Sequence, residues 1–279
     1  MQPVRQGARL TGQLDGYAAL RHGPPQHKNQ NKKREGAQGM NRDLSGKSAL
    51  VTGASAGIGR ATVDALVGAG ASVIATGRRA EALDALVEAH GADRVTAMAG
   101  DLNDAAFVAA LASAASDADI FVSNAGILKY APLLDLAHED TEAMFQTNVL
   151  ASIRLLQEVA RTMAARGSGH IVVMTSIAAR EVYPLASIYC ATKHALSAYA
   201  RSLRVELQAS GIKVTEVAPG MVDTGIRDTS DHPKVQEALS ARTFSALTPE
   251  QVAEAVIYAV CAEDNCAADL IELRPKGAA

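Results

Sequence analysis

From residue 48 onward, short apolar runs alternate with longer stretches in which apolar residues recur every three or four positions. The runs are SALVTG, ASVIATG, RVTAMAG, ADIFVSNAG, HIVVMTS, IKVTEVAPG and ADLIELRP, each closing on small or turn-forming residues. Such runs predict seven strands, and the segments between them, among them GRATVDALVGAG, RAEALDALVEAHG and DTEAMFQTNVLASIRLLQEVARTMAARG, carry helical spacing. Strands alternating with helices of ten or more residues imply right-handed crossovers and a parallel sheet covered on both faces. The expected architecture is therefore a doubly wound α/β domain over residues 44–279. No solenoid repeat and no convincing linker interrupts it.

In sheets of this kind the ligand lies outside the carboxyl ends of the strands. Gly53, Gly77, Asp101, Asn124, Ser176 and Pro219 all stand at or just beyond predicted strand ends. After the first strand comes TGASAGIG, whose Gly53, Gly57 and Gly59 permit positive φ and close backbone approach, while the following helix offers its N-terminal amides to a pyrophosphate. The spacing differs from the usual G-x-G-x-x-G, so its place at the start of a βαβ unit carries much of the signal. The second strand ends in ATGRR. No carboxylate is present there to hold a free ribose, and Arg78, followed by Arg79, is placed to pair with a 2′-phosphate, which favours NADP(H) over NAD(H). The alternative is a solvated arginine pair opening a helix.

The stretch TSIAAREVYPLASIYCATK sets Ser176, Tyr189 and Lys193 at fixed intervals. Residues four apart share a helix face, so Tyr189 and Lys193 are neighbours if the segment is helical. Cys190 projects about 100° away round that helix and reads as packing.

Composition narrows the remaining classes. At 279 residues and 48% hydrophobic content the chain can bury a sizeable core. It has no apolar run long enough for a membrane helix and no signal-peptide pattern at its start, so a cytoplasmic location is the expectation. Cys190, Cys261 and Cys266 suit reduced thiols, and the seven histidines form no ligand pattern, so no metal is expected. Residues 1–43 carry eight basic and three acidic side chains, a surplus of five that leaves the remainder at −8 for a whole-chain net charge of −3. An acidic body disfavours nucleic-acid binding. The segment HKNQNKKREGAQG reads as a disordered N-terminal extension, and Met40 as a candidate alternative start.

Assembled, these residues resemble the classical short-chain dehydrogenases/reductases, over residues 44 to 275. The resemblance rests on TGASAGIG, GDLN with Asp101, NAG (Asn124 to Gly126), Asn148 in the long helical segment, Ser176, YCATK, and PGMVDT with Pro219, Gly220 and Thr224. Ser123 stands where the family often has a second asparagine. The family implies a single Rossmann-type domain with a seven-stranded parallel sheet flanked by helices. It implies Tyr189 as proton donor or base, with its phenol brought toward working pH by Lys193 and the oxidised nicotinamide. Ser176 would bind the substrate oxygen, and Asn148 would hold a water linking Lys193 to solvent. Ser55, Ile58, Leu102, Ala125 and Val222 join the cofactor contacts, as do Tyr189 and Lys193 themselves. A homodimer or homotetramer is implied, through helices at about 138–165 and 187–209.

Substrate information is sparser. Ile127, Leu128, Tyr183, Met221 and Val222 would make an apolar pocket suited to an aldehyde, ketone or alcohol. Arg227 or Arg242 would instead clamp a carboxylate, as a 3-hydroxy-acid (serine-like) dehydrogenase needs. The tail LTPEQVAEAVIYAV…ADLIELRP resembles a branch with 3-hydroxy-acid and aldehyde-reducing members. The reading is thus an NADP(H)-dependent carbonyl reductase or alcohol dehydrogenase. The rivals are the hydroxy-acid enzyme and a regulatory module that senses NADP(H) without turnover.

Overall fold

In the computed structural model, which describes residues 42–278, the strands are β1 (Ser48–Thr52), β2 (Ser72–Gly77), β3 (Val95–Ala99), β4 (Ile120–Ser123), β5 (Gly169–Met174), β6 (Ile212–Pro219) and β7 (Leu270–Leu273). They form one sheet of order β3-β2-β1-β4-β5-β6-β7, with every neighbouring pair parallel. All seven expected strands are present. The expected N-terminal extension lies outside the described residues, apart from Arg42 and Asp43.

Strand position explains strand composition. β1 and β5 lie inside the sheet and are buried almost throughout, which is why their sequences read as continuous apolar runs. The edge strand β7 alternates between exposed and half-buried positions. Successive residues of the central strands face opposite sides. Val51, Val122 and Val172 enter one core, and Leu50, Phe121 and Ile171 enter the other. The first core is closed by α1 (Gly57–Gly68), α2 (Ala80–His90) and a C-terminal helix through Leu66, Leu86 and Val256. The second is closed by α3 (Ala105–Ala114) and two longer helices through Leu111, Leu155, Met163 and Leu196. Truncating a ring as buried as Phe121 costs about 3–5 kcal/mol.

The segment expected as one helix over residues 140–167 is built in three parts: α4 (His138–Phe145), a π-helical turn (Gln146–Ala151) and α5 (Ser152–Arg166). Gly167 ends α5 in the left-handed conformation, φ 76°, its N–H returned to Met163 and Ala164. The next long helix, α6 (Ser187–Leu207), ends in a 3₁₀ turn. Helices α7 (Pro233–Ser240) and α8 (Pro249–Val260) follow β6, and α8 starts from a Thr248–Gln251 capping box. Among the described residues, no helix is long and apolar enough to cross a membrane.

The chain leaves β1 toward β2 and β3, then returns on the other side of β1 as β4. This reversal opens a crevice at the carboxyl ends of β1 and β4.

Candidate active site

The crevice starts at the glycine turn. Gly53 and Gly57 have φ of 67° and 50°, in the left-handed region. A Cβ on Gly59 would fall 2.1 Å from the Gly53 carbonyl oxygen, so only glycine lets α1 approach the turn this closely. Helix α1 has no side-chain cap and no acidic residue in its first turn, which leaves its first N–H groups available to an anion. Thr52 ties the neighbouring strand end into place. Its Oγ accepts from the backbone N–H groups of Asn124 and Ala125 at 3.0 Å each, and the Asn124 amide donates to the Thr52 carbonyl at 2.9 Å.

The cleft so formed has a volume of about 540 Å³. Of the residues expected to contact a dinucleotide, Gly53, Ser55, Gly57, Ile58, Arg78, Arg79, Asp101, Leu102, Asn124, Ala125, Gly126 and Thr224 line it. Gly59 sits behind the turn, while Pro219, Gly220, Val222, Tyr189 and Lys193 line an adjoining pocket. The two arginines separate in role. Arg79 donates to the Ser55 carbonyl at 2.8 Å and so braces the glycine turn. Arg78 is exposed on the cleft wall and has no hydrogen-bond or ion-pair partner among the described residues. The free N–H groups, the close-packed glycines and the unpaired Arg78 together fit a phosphorylated dinucleotide.

The adjoining pocket, about 440 Å³, shares Ile58, Asn124, Gly126, Leu128, Thr224 and Ile226 with the cleft. Ser176 at the end of β5 and Tyr189 and Lys193 on α6 all line it. Ser176 caps the short 3₁₀ turn after β5 by accepting from Ala178 N–H at 3.1 Å, and its hydroxyl donates to the Pro219 carbonyl at 3.2 Å. Lys193 crosses from α6 to the sheet, donating to the Met174 carbonyl at 3.0 Å, with its ammonium 5.7 Å from the Tyr189 ring centre.

Electrostatics depart from the expectation at one point. Burial, reinforced by the Tyr130 phenol, holds Tyr189 above its ordinary value, while Ser176 and the Arg227 guanidinium pull the other way. In the protein alone, burial outweighs the neighbouring charges. Burial likewise pushes Lys193 down to about 8, opposed by the charge of Glu216. Glu216 is itself 1% exposed. It accepts from the Thr175 hydroxyl at 2.7 Å and pairs with Arg180 at 2.8 Å, so a satisfied ion pair sits behind the strand end that carries Ser176.

Asn148 lies in the π-helical turn and lines neither cavity. Its amide clamps the backbone of Ile127, with Oδ1 accepting from Ile127 N–H at 2.8 Å and Nδ2 donating to the Ile127 carbonyl at 2.9 Å, and it also donates to Thr192. One Oδ1 lone pair remains unused. Gly126 fits between Asn148 and Lys193, since a Cβ there would meet Oδ1 at 3.3 Å and Nζ at 3.9 Å.

Leu128, Tyr183, Met221 and Val222 line the apolar pocket as expected. Ile127 does not. The Asn148 clamp holds it against the dinucleotide cleft instead. Tyr183 donates to Glu181, which Arg274 also holds, and burial together with that carboxylate pushes its phenol up to about 12. Tyr130, Phe244, Pro275 and Ala278 were not expected in the pocket wall. Tyr130 packs edge-to-face on Tyr189 at 6.5 Å, and the turn after β4 brings it there. Sequence spacing offered no signal for the tail residues. Cys190 is buried, in a small cluster with Ala178 and Ala186, as packing requires.

Comparison with known proteins gives a consistent set of likenesses. A family model described as short chain dehydrogenase matches residues 47–234. An uncharacterized oxidoreductase of Staphylococcus haemolyticus is 33% identical over 237 residues, covering 84% of this chain and 99% of the relative. The closed form of serine dehydrogenase complexed with NADP+ is 30% identical with a TM-score of 0.74, covering 81% of this chain and 93% of that one. Serine dehydrogenase from Escherichia coli is 30% identical with a TM-score of 0.70, over 81% and 96% of the two chains.

Proposed function

Since the chain belongs to the short chain dehydrogenase family of oxidoreductases, which work with nicotinamide cofactors, we propose that it interconverts a carbonyl and an alcohol using NADP(H). The observation that carries this reading is the convergence of Ser176, Tyr189 and Lys193 on one apolar pocket that shares a wall with the phosphate-binding cleft.

The nicotinamide, when bound, supplies or accepts the hydride. The chain's own residues manage the oxygen and its proton. Tyr189, kept protonated by its burial, donates to the carbonyl oxygen during reduction. Ser176, which lines the same pocket as the phenol, hydrogen-bonds that oxygen and so holds the electrophile in place for the proton donor. Lys193, at about 8, is predominantly an ammonium at neutral pH and stabilises the phenolate that proton transfer leaves. Asn148 fixes the Ile127 backbone, and with it the loop that carries Asn124 to Gly126. The apolar lining excludes water and strengthens each of these interactions.

NADP(H) is the cofactor that Arg78 favours. A guanidinium without a protein partner, beside a strand end without a carboxylate, suits a 2′-phosphate. The NADP+ complex of serine dehydrogenase supports the same choice. A module that only senses the dinucleotide gains nothing from a buried proton donor.

The test is NADPH consumption with a panel of aldehydes, ketones and oxo acids, for wild type and Tyr189→Phe. The variant is expected to bind NADPH and to lose about 10²–10⁴-fold in kcat, the usual contribution of a positioned proton donor. Undiminished turnover by Tyr189→Phe would refute the assigned mechanism.

A further inference from the structure

We infer that the substrate of this site carries an anionic group, a carboxylate, and that Arg227 receives it. The inference rests on the carbonyl–alcohol reading above and narrows its substrate class.

The pocket wall contains two cationic side chains, Lys193 and Arg227, and no aspartate or glutamate. This is unusual for a body whose net charge is −8 outside the first 43 residues. Lys193 is already occupied with the Met174 carbonyl and the Tyr189 ring. Arg227 is the cation left over. It is half-buried at the end of a 3₁₀ turn, Gly225–Arg227, and forms no ion pair with any described carboxylate. Its one hydrogen bond runs from Nη1 to the Val222 carbonyl at 2.8 Å, and its Nε is buried with no partner at all. A buried donor left unmade is unfavourable. A guanidinium presents its donors as a planar fork matched to a carboxylate, so an anionic ligand in the pocket compensates the charge and pairs with the terminal N–H groups that the Val222 carbonyl leaves free.

Two further observations set the ligand's place. Arg227 lines the pocket that holds Tyr189 and does not line the dinucleotide cleft, so the cofactor phosphates are not its natural partner. The guanidinium field reaches the Tyr189 phenol, which puts an anion held by Arg227 in the same chamber as the reacting carbonyl. Arg242, equally suitable by sequence, is excluded by the structure. It is exposed, rests on the Phe244 ring at 5.9 Å and points Nη1 at the Met221 sulfur.

The deciding experiment compares hydroxybutanoates bearing the hydroxyl at C2, C3 or C4 with the corresponding amides, which keep the shape and remove the charge. Oxidation with NADP+ is measured for wild type, Arg227→Met and Arg227→Lys. Wild type is expected to favour at least one acid over its amide, and Arg227→Met to lower that acid-to-amide ratio of kcat/KM by about 10²-fold, with Arg227→Lys in between. A wild-type ratio of one or less overturns the inference and leaves the carbonyl–alcohol reading standing. So does a ratio unchanged in Arg227→Met, which would make the arginine only a clasp for its loop. If the whole panel of acids, amides and neutral carbonyls shows no turnover despite NADPH binding, the functional reading itself fails and the inference with it.

Discussion

Lys193 is charged where the fold would prefer it neutral, and the size of that conflict can be measured. The side chain is 4% exposed, and burial takes its ammonium from 10.5 down to about 8. At 1.36 kcal/mol per pH unit, holding the proton at neutral pH costs the folded state about 3 kcal/mol. Replacing Lys193 by methionine removes that cost but leaves the Met174 carbonyl without its side-chain donor, which costs about 1–3 kcal/mol. Lys193→Met is therefore expected to be about 0–2 kcal/mol more stable than wild type at pH 7, while its turnover collapses. The pH dependence is the sharper signature. Between pH 8 and 10.5 the unfolded chain keeps a proton on Lys193 that the folded chain has released, so wild-type stability rises with pH across that window. Relative to Lys193→Met, wild type should gain about 3 kcal/mol over the interval, and below pH 8 the difference should be flat. Paired urea titrations across the range report this directly, because groups common to both proteins cancel. A difference that stays constant from pH 8 to 10.5 would show that Lys193 titrates normally and would remove the electrostatic argument.

Two further outcomes follow from other residues. Arg78→Ala should raise KM for NADPH by about tenfold or more and leave KM for NADH little changed, and an equal effect on both cofactors would show that Arg78 does not read the 2′-phosphate. His170, buried against the Thr215 hydroxyl at 2.8 Å, is held down to about 4 from 6.5. Because the unfolded chain binds this proton first as pH falls, wild type should lose about 3 kcal/mol relative to His170→Gln between pH 6.5 and 4, and parallel acid unfolding curves for the two proteins would contradict the assignment.

The parallel sheet was legible because its interior strands are buried on both faces, and burial of that kind writes an unbroken apolar run such as SALVT or HIVVM. The grouping of the candidate residues along one crevice was legible because strand ends point to it and because Tyr189 and Lys193 sit one helical turn apart. What the sequence concealed depended on contacts remote along the chain. Phe244, Pro275 and Ala278 reach the pocket only through the packing of the segments around α7 and β7. Nothing local separates Arg227 from Arg242; their difference is that one turns inward beneath Val222 and the other lies on Phe244. The upward shift of Tyr189 in the protein alone was hidden for a related reason. Counting nearby charges cannot register burial.

The π-helical turn has a consequence for how this protein is able to vary. The six residues Gln146–Ala151 hold one more residue per turn than the α-helix on either side, and Asn148 stands within them. Upstream and downstream helix are thus out of phase by about 100°, the rotation of a single residue. That offset lets one continuous rod turn Asn148 toward Ile127 while Leu155, Leu156, Val159 and Met163 still face the sheet. Such a gearing has only whole-residue positions. The reach of the clamp and the seating of α5 cannot drift apart in small increments, so the loop that borders both cavities and the hydrophobic interior behind it are bound to change together or not at all.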